Sequence, residues 1–265
     1  MAGARRLLAA DFAISLTWVF SNELIKIFVQ SVMGNAASQL EGDIARCALA
    51  VVNMFAFAYM SKATDGGAYN PLSVLAPAIS GDFSNFIFTV GARIPAQVVG
   101  SVYGVRLILW TFPGIGHAPH LKVDIATGAL TEGLLAFAIV TITLGLATQD
   151  FLTKTWISSL AKLTLHILAA DLTGGCMNPA PVSISFLLRL ISPPLKSLSS
   201  SQVMGWAFAN RQHITKEHLI VYCLAPVEAT LLAVWLSGIL FRMKKDERSA
   251  VKKATSPQQK LEKSD

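Results

Sequence analysis

The sequence predicts an all-α membrane protein with six transmembrane helices and two short re-entrant half-helices in an inverted repeat. Three observations lead to this fold class: an apolar composition, six long apolar segments, and a Gly-Gly-x-x-Asn-Pro motif that occurs once in each half. Of the 265 residues, 53% are hydrophobic and 14% are charged, and the mean hydropathy is +0.52. Soluble domains carry about 25% charged residues, so the composition excludes an ordinary soluble domain.

Six segments are apolar enough and long enough to cross a bilayer, which takes about 20 residues of helix. Asp11 interrupts the first segment early, but its apolar character continues well past any signal-peptide cleavage position, which favours a retained signal-anchor helix. Residues 1–241 are therefore expected to form one transmembrane domain. The predicted spans are residues 7–33, 43–61, 86–110, 127–148, 155–171 and 218–241.

The charge distribution predicts that both chain ends lie in the cytosol. Arg5 and Arg6 precede the first span, and the tail 242–265 holds eight of the 22 basic residues against four of the 16 acidic ones. Basic residues flank the cytosolic ends of spans, and an even number of spans returns the chain to its starting side. We interpret the tail as a solvated, basic stop-transfer segment, and so short a run does not indicate nucleic-acid binding.

The duplicated motif predicts two short helices with defined beginnings. It reads GGAYNP at residues 66–71 and GGCMNP at residues 174–179, and neither following stretch is long enough to span. Asparagine is a strong N-cap, proline in the first helical position loses no hydrogen bond, and glycine allows a sharp turn before the cap. Asn70 and Asn178 are therefore predicted to cap two short helices.

The two halves of the chain correspond to each other, at about 7–110 and 127–241. Asp11 and Glu132 are each a lone carboxylate near the start of an apolar run, 59 and 46 residues before the motif asparagine. With three spans per half, the second half is inserted upside down relative to the first. Interrupted helices in corresponding halves are typical of a site at the bilayer midplane, buried in protein or lining a wet cavity.

Two helix N-termini that meet at the midplane would each place about half a positive charge there. Cations and protons would meet a barrier at that point. The side-chain amides of Asn70 and Asn178 would donate hydrogen bonds to a neutral molecule and interrupt a proton relay through water. The pattern therefore favours a passive pore for water or a similarly small neutral solute.

Other classes of function fit less well. An ion-coupled transporter needs acidic groups near the interrupted helices, whereas the intramembrane acids here lie far from the motifs in sequence. For an enzyme, Cys176 and His166 are the only candidate nucleophile and base near a motif, and a small residue packed in the pore wall is the better interpretation of Cys176. No metal-ligand spacing occurs, and neither enzymatic activity nor a metal nor a cofactor is expected.

Eight stretches, spread between residues 66 and 235, carry a resemblance to a known family. They are GGAYNPL, ARIP, GALTEG, KTWISSLAKLTLHIL, DLTGGCMNPA, VMGWAF, HITKEHL and ATLLAVW. On these stretches the chain resembles the aquaporins, the major intrinsic protein family, and among them the plant small basic intrinsic proteins whose first motif is Asn-Pro-Leu. The resemblance implies an aquaporin-like fold, a homotetramer with one pore per protomer, conduction of water or small neutral solutes, and residence in the endoplasmic reticulum membrane.

The resemblance also implies the site residues, by offset from the two motifs. Asp11 and Glu132 would anchor the two short helices, because an intramembrane acid is costly unless it is paired. The central motifs would be Asn70, Pro71 and Leu72 in the first half and Asn178, Pro179 and Ala180 in the second. The selectivity filter would consist of Ala50, His166, Gly175 and Pro181.

Two of these positions depart from most aquaporins. Pro181 stands where most aquaporins have arginine, so the constriction should be less polar and wider, and the small residues Ala50 and Gly175 act in the same direction. Leu72 replaces alanine and adds bulk beside Asn70, which acts in the opposite direction. The sequence leaves open which effect dominates, and therefore whether water or another small neutral solute is conducted.

An apparent insertion at residues 181–202 separates the second motif from VMGWAF, which follows the motif almost directly in the subgroup. Two placements are open. In the first, residues 179–191 form the short helix and 192–202 are extruded; in the second, VMGWAFANR keeps its place and the insertion bulges from the pore mouth. The alternative to a conducting channel is therefore a weakly conducting or non-conducting channel-fold protein with a structural role in the endoplasmic reticulum.

Overall fold

The computed structural model describes residues 2–33, 39–112, 121–170, 172–173 and 215–240, and in these residues helices form nearly everything and no strand occurs. The prediction of an all-α membrane protein is confirmed. In chain order the helices are α1 (Ala2–Met33), α2 (Gln39–Ala63), α3 (Pro71–Ile79), α4 (Phe83–Thr111), α5 (Ile125–Gly145), α6 (Phe151–Ala169) and α7 (216–240).

Five of these helices are long and apolar enough to cross a membrane. The qualifying stretches are Gly3–Val32, Glu41–Ala63, Phe83–Thr111, Ile125–Gly145 and Ile220–Leu240. With 19 residues α6 reaches about 28 Å at 1.5 Å per residue, which is close to the thickness of the hydrocarbon core. It carries two lysines, Lys154 and Lys162, and is not among the five qualifying stretches.

Helix α6 begins at Phe151, four residues before the predicted start of the fifth span at 155. The Asp150 side chain caps it by accepting a hydrogen bond from the Thr153 N–H at 3.0 Å. Thr153 and Lys154 make this first turn less apolar than the rest of the helix, so the helix begins before the predicted apolar span. Asp124 caps α5 in the same way through the Thr127 N–H, at 2.9 Å.

Helices α1 and α4 pack closely through two glycines one turn apart. A Cβ added at Gly100 would overlap the carbonyl oxygen of Phe12, and one added at Gly104 would lie 2.6 Å from the carbonyl oxygen of Leu16. Small residues four positions apart let two membrane helices approach to backbone contact. The first and third spans of the first half are thereby held together.

The two halves share a pattern of packing. α1 packs along α4, and α5 packs against the beginning of α7, so the first and third spans are in contact in each half. The third span of each half also contains one π-helical turn, Thr89–Arg93 in α4 and Ile220–Leu224 in α7. Each turn ends two residues before a proline, Pro95 or Pro226, whose missing N–H already interrupts the regular hydrogen-bond ladder.

Several predictions of the sequence lie outside the described residues. They concern the second short helix, the insertion at 181–202 and the basic tail at 242–265. The division into repeats at 7–110 and 127–241 stays a prediction, which the shared packing of the two halves favours.

Candidate functional site

The first motif forms the start of a short helix, as predicted. Asn70 has an extended backbone, and its Oδ1 accepts a hydrogen bond from the Leu72 N–H at 2.9 Å. Pro71 occupies the first helical position of α3, which is nine residues long and ends at Ile79. The cap therefore fixes where the helix N-terminus lies and orients the asparagine side chain beside it.

The two glycines before this cap serve different purposes. Gly66 has φ +102°, a left-handed conformation that residues with a Cβ rarely adopt, so it makes the turn. Gly67 makes room, because an added Cβ would lie 2.6 Å from Thr64 Oγ1 and 2.9 Å from Ile14 Cδ1. The chain can thus fold back against α1 immediately before α3.

Asp11 lies under this turn and is completely buried. Its Oδ1 accepts a hydrogen bond from the Ala68 N–H at 2.8 Å. Arg93 donates to both carboxylate oxygens, from Nε to Oδ2 at 2.7 Å and from Nη2 to Oδ1 at 3.0 Å. The same Nη2 donates to the Gly66 carbonyl at 2.6 Å. The ion pair therefore holds the backbone of the segment that leads into α3.

The second half has a comparable arrangement around Glu132, which is 1% exposed. Its Oε1 accepts a hydrogen bond from Thr173 Oγ1 at 2.6 Å. The Tyr222 hydroxyl donates to the Thr173 carbonyl at 2.8 Å. In both halves, a carboxylate from the first span and a donor from the π-helical turn of the third span hold the segment just before the motif asparagine.

Sequence reasoning named the carboxylates but missed Arg93, Thr173 and Tyr222. Arg93 carried a usable signal, since a charged residue in an apolar span requires a partner, and the first span offers two acids, Asp11 and Glu23. Thr173 and Tyr222 carry no such signal, because hydroxyl side chains are common in membrane helices.

A cavity of about 700 Å³ lies beside the N-terminus of α3. It is bounded by α2, α3, α5 and α6, and both Asn70 and Leu72 border it. A water molecule occupies about 30 Å³ in the liquid, so the cavity has room for about twenty. The first motif thus faces a space large enough for water and small solutes.

Leu72 is 2% exposed, so most of its side chain is packed within the protein. It belongs to an apolar cluster that joins α3 to α5 and α7 and that also contains Ala76, Ala136, Val140, Ala233 and Val234. Its bulk beside Asn70 is therefore directed largely into this packing, although part of it borders the cavity.

Ala50 and His166 each extend a cavity-lining stripe by one helical turn. His166 on α6 follows Lys162 by four residues, and Ala50 on α2 precedes Met54 by four, so each shares a helix face with the cavity lining. The lining residues in these two stripes are Thr155, Ser159 and Lys162 on α6 and Met54, Ala58 and Ser61 on α2.

Two aromatic contacts give the relative direction of α2 and α6. Tyr59 packs on Phe151 and Phe55 packs on Trp156, with ring centroids 4.9 and 4.8 Å apart. The helices are therefore antiparallel, which places the beginning of α2 and the end of α6 at the same end of the cavity. Two of the four predicted filter residues lie at that end.

The remaining site predictions lie outside the described residues. They are Asn178, Pro179 and Ala180 of the second motif and Gly175 and Pro181 of the filter. Within the residues that the structure describes, no group of three or more His, Cys, Asp or Glu side chains could hold a metal ion.

Comparison with known proteins gives close relatives along almost the full length of the chain. The protein named "Probable aquaporin SIP2-1" of Arabidopsis thaliana is 47% identical over 249 residues, which cover 93% of this chain and 96% of that protein. "Aquaporin SIP2-1" of Zea mays is 38% identical over 92% of both chains. "Aquaporin SIP1-2" of Zea mays is 29% identical over 253 residues. No protein-family model matches.

Proposed function

The chain belongs to the aquaporin family, among its small basic intrinsic proteins, and from this premise we propose that it is a passive membrane channel for water or small neutral solutes. The observation that carries the proposal is the cavity of about 700 Å³ at the capped N-terminus of α3. The helix dipole places a partial positive charge at this point. A neutral molecule passes such a point more easily than a cation does.

The complete site of the proposed channel combines both halves. In the proposed channel, Asn178 would cap a second short helix whose N-terminus would meet that of α3. Pro71, Leu72, Pro179 and Ala180 would then flank the two asparagines. Asp11 and Glu132 act as anchors for the two short helices. The hydrogen bonds from Ala68 and Arg93 to Asp11, and from Thr173 to Glu132, support this role.

The proposed filter consists of Ala50, His166, Gly175 and Pro181. The stripes on α2 and α6 that end at Ala50 and His166 support the first two positions. Three of the four residues have small or apolar side chains, which makes the constriction wide and weakly polar. We therefore expect it to discriminate little between water and other small neutral solutes.

The proposed setting is the endoplasmic reticulum membrane, with both termini in the cytosol and four copies assembled as a homotetramer. The basic residues at both ends of the sequence support this orientation, through the preference of Lys and Arg for the cytosolic face. Exposed apolar side chains on the spans, among them Trp110 at 81% and Trp235 at 63%, suit contact with lipid or with neighbouring copies.

Stopped-flow swelling of vesicles containing the purified chain tests the function. Water, glycerol and hydrogen peroxide gradients are applied in turn, and Asn70→Asp and Asn178→Asp are compared with the wild type at equal protein density. We expect faster swelling than in protein-free vesicles for at least one solute and altered flux in both variants. Wild-type rates equal to those of protein-free vesicles for all three solutes would refute the proposal.

A second candidate is a non-conducting or weakly conducting protein with a structural role, and the insertion at 181–202 is the observation that favours it. The insertion directly follows the second motif, in the stretch expected to line the pore. Comparing swelling with and without residues 181–202 separates the candidates. Faster swelling after the deletion would mean that the insertion restricts a pore, whereas equal and measurable rates in both chains would reject this effect.

A further inference from the structure

The cavity beside α3 has a strongly positive lining. Lys62, Arg93, Lys154 and Lys162 border it, and no Asp or Glu is among the described residues that line it. Arg93 is neutralised by its ion pair with Asp11. Three lysine charges remain in a space lined mainly by apolar and hydroxyl side chains.

These lysines are supported by aromatic rings. The Lys62 ammonium lies 4.8 Å from the ring centroid of Phe151, and that of Lys162 lies 5.8 Å from the ring centroid of Tyr69. Lys162 Nζ is also 3.5 Å from the Tyr69 hydroxyl. No carboxylate of the described chain lies within 4.0 Å of these lysines or of Lys154. A ring attracts an ammonium group but does not cancel its charge, so the cavity keeps a net positive potential.

Hydroxyl donors lie between the charges along α6. Lys154, Ser158 and Lys162 follow one another at four-residue intervals, and therefore form a line of side chains about 6 Å apart. Ser158 Oγ is buried and has no hydrogen-bond partner within the described residues. Ser159, which is 4% exposed and also lines the cavity, makes no hydrogen bond in that part of the chain either. Such groups are costly to bury unless a ligand or water accepts from them.

We propose that this cavity binds a small monovalent inorganic anion of the halide class, between the Lys154 and Lys162 ammonium groups and the Ser158 and Ser159 hydroxyls. The N-terminus of α3, which borders the same space, adds a partial positive charge. Ammonium and hydroxyl groups act as separate point donors and suit a spherical anion. The forked guanidinium that favours phosphate or carboxylate belongs to Arg93, and Asp11 already occupies it.

The anion site adds a binding role to the proposed channel. It rests on the channel proposal in one respect, which is that water must reach the cavity. Bound at the mouth of the first motif, the anion would lower the repulsion between the lysines. With the site empty, the same charges would repel cations from this entrance. The lysines thus supply a charge barrier to cations at the cavity. This position is separate from the predicted filter, in which Pro181 replaces the arginine of most aquaporins.

Chloride-35 NMR line widths of the full chain in detergent test the binding. Lys162→Gln and Lys154→Gln remove one cavity charge each, and Lys216→Gln is the matched control, since Lys216 is exposed on α7 and does not line the cavity. We expect saturable line broadening for the wild type and for Lys216→Gln, and binding weakened about tenfold in each cavity variant. Melting curves check that all three variants are folded.

Two outcomes would overturn the inference: a wild-type line width equal to that of protein-free micelles, or equal broadening in all four proteins. Osmotic swelling of vesicles made from the same preparations keeps this question separate from channel function. Swelling without chloride binding would reject the anion site and leave the channel intact. Chloride binding without swelling in any solute gradient would leave the anion site intact and reject the channel.

Discussion

Replacing Asp11 by asparagine should destabilise the protein more than the exchange of a single heavy atom suggests. The carboxylate is completely buried and accepts three hydrogen bonds of 3.0 Å or less, from the Ala68 N–H and from two Arg93 nitrogens. Asparagine keeps the shape but removes the charge and turns an amide group towards the guanidinium. Arg93, whose side chain is only 13% exposed, would then be left without a counter-charge.

The expected size follows from this burial. Breaking a buried ion pair by removing one partner costs about 3–5 kcal/mol. Because the Arg93 side chain keeps some contact with solvent, we expect a cost near the lower end of that range, about 3 kcal/mol. One kcal/mol shifts the melting temperature of a chain of this size by about 2–4 °C, so Asp11→Asn should melt about 6–12 °C lower. The loosened turn before α3 should also reduce solute flux.

The assay is thermal unfolding of the full chain in detergent, followed by tryptophan fluorescence. Asp43→Asn is the matched control, because Asp43 and Arg46 form an ion pair of the same two residue types within one helix, three positions apart. That pair is about half exposed and is worth less than about 1 kcal/mol. The double variant of Asp11→Asn with Arg93→Met should lose at least about 1.5 kcal/mol less than the sum of the single variants. Equal losses for Asp11→Asn and Asp43→Asn, or additive effects of Asp11→Asn and Arg93→Met, would refute the reasoning.

Three further changes test other parts of the account. Gly104→Ala should lower the stability by about 1–3 kcal/mol in the same melting assay, since its Cβ would lie 2.6 Å from a carbonyl oxygen of α1. Gly238→Ala should not, because a Cβ there would have no atom within 4 Å. Equal effects of the two variants would contradict the close packing of α1 and α4. Ala50→Leu should slow glycerol flux through vesicles, and Ala48→Leu, which faces outward on the same helix, should leave it unchanged; the opposite ranking would remove this position from the filter. The hydrogen bond from the Thr153 N–H lowers the pKa of the Asp150 cap below its ordinary 3.8. The cap therefore stabilises the fold above pH 3.8, and this stabilisation is lost as the pH falls through the lowered pKa. The melting temperature of Asp150→Asn should depend less on pH in acid than that of the wild type, and identical acid profiles would contradict this.

Features that depend on local chemistry were predictable from the sequence. The α3 cap is an interaction between Asn70 and the residue two positions later, and Pro71 fixes the helix start, so six letters of sequence contain the information. The turn at Gly66 is local in the same sense. Asp11 and Glu132 could be singled out because an acid in an apolar run requires a partner.

Features that depend on distant contacts were not predictable. Arg93 lies 82 residues from Asp11, and Tyr222 lies 49 residues from Thr173, so these pairs exist only once α4 and α7 have packed. The positive lining of the cavity has the same origin. In the sequence, Lys62 and Lys162 are isolated charges on two different helices. Only the antiparallel packing of α2 and α6 brings both to the same cavity.

The central claim is that the permeating molecule passes through the cavity beside α3, and thiol modification tests it most directly. Ala58→Cys places a thiol in the cavity lining, and Ala56→Cys places one on the exposed face of the same helix. Both variants are made in a Cys176→Ser background, because Cys176 is predicted to lie in the pore wall. After treatment with a methanethiosulfonate reagent, with modification verified by mass spectrometry, solute flux should fall in the Ala58→Cys vesicles and persist in those with Ala56→Cys and in the treated Cys176→Ser parent. Unchanged flux through fully modified Ala58→Cys protein would contradict the account.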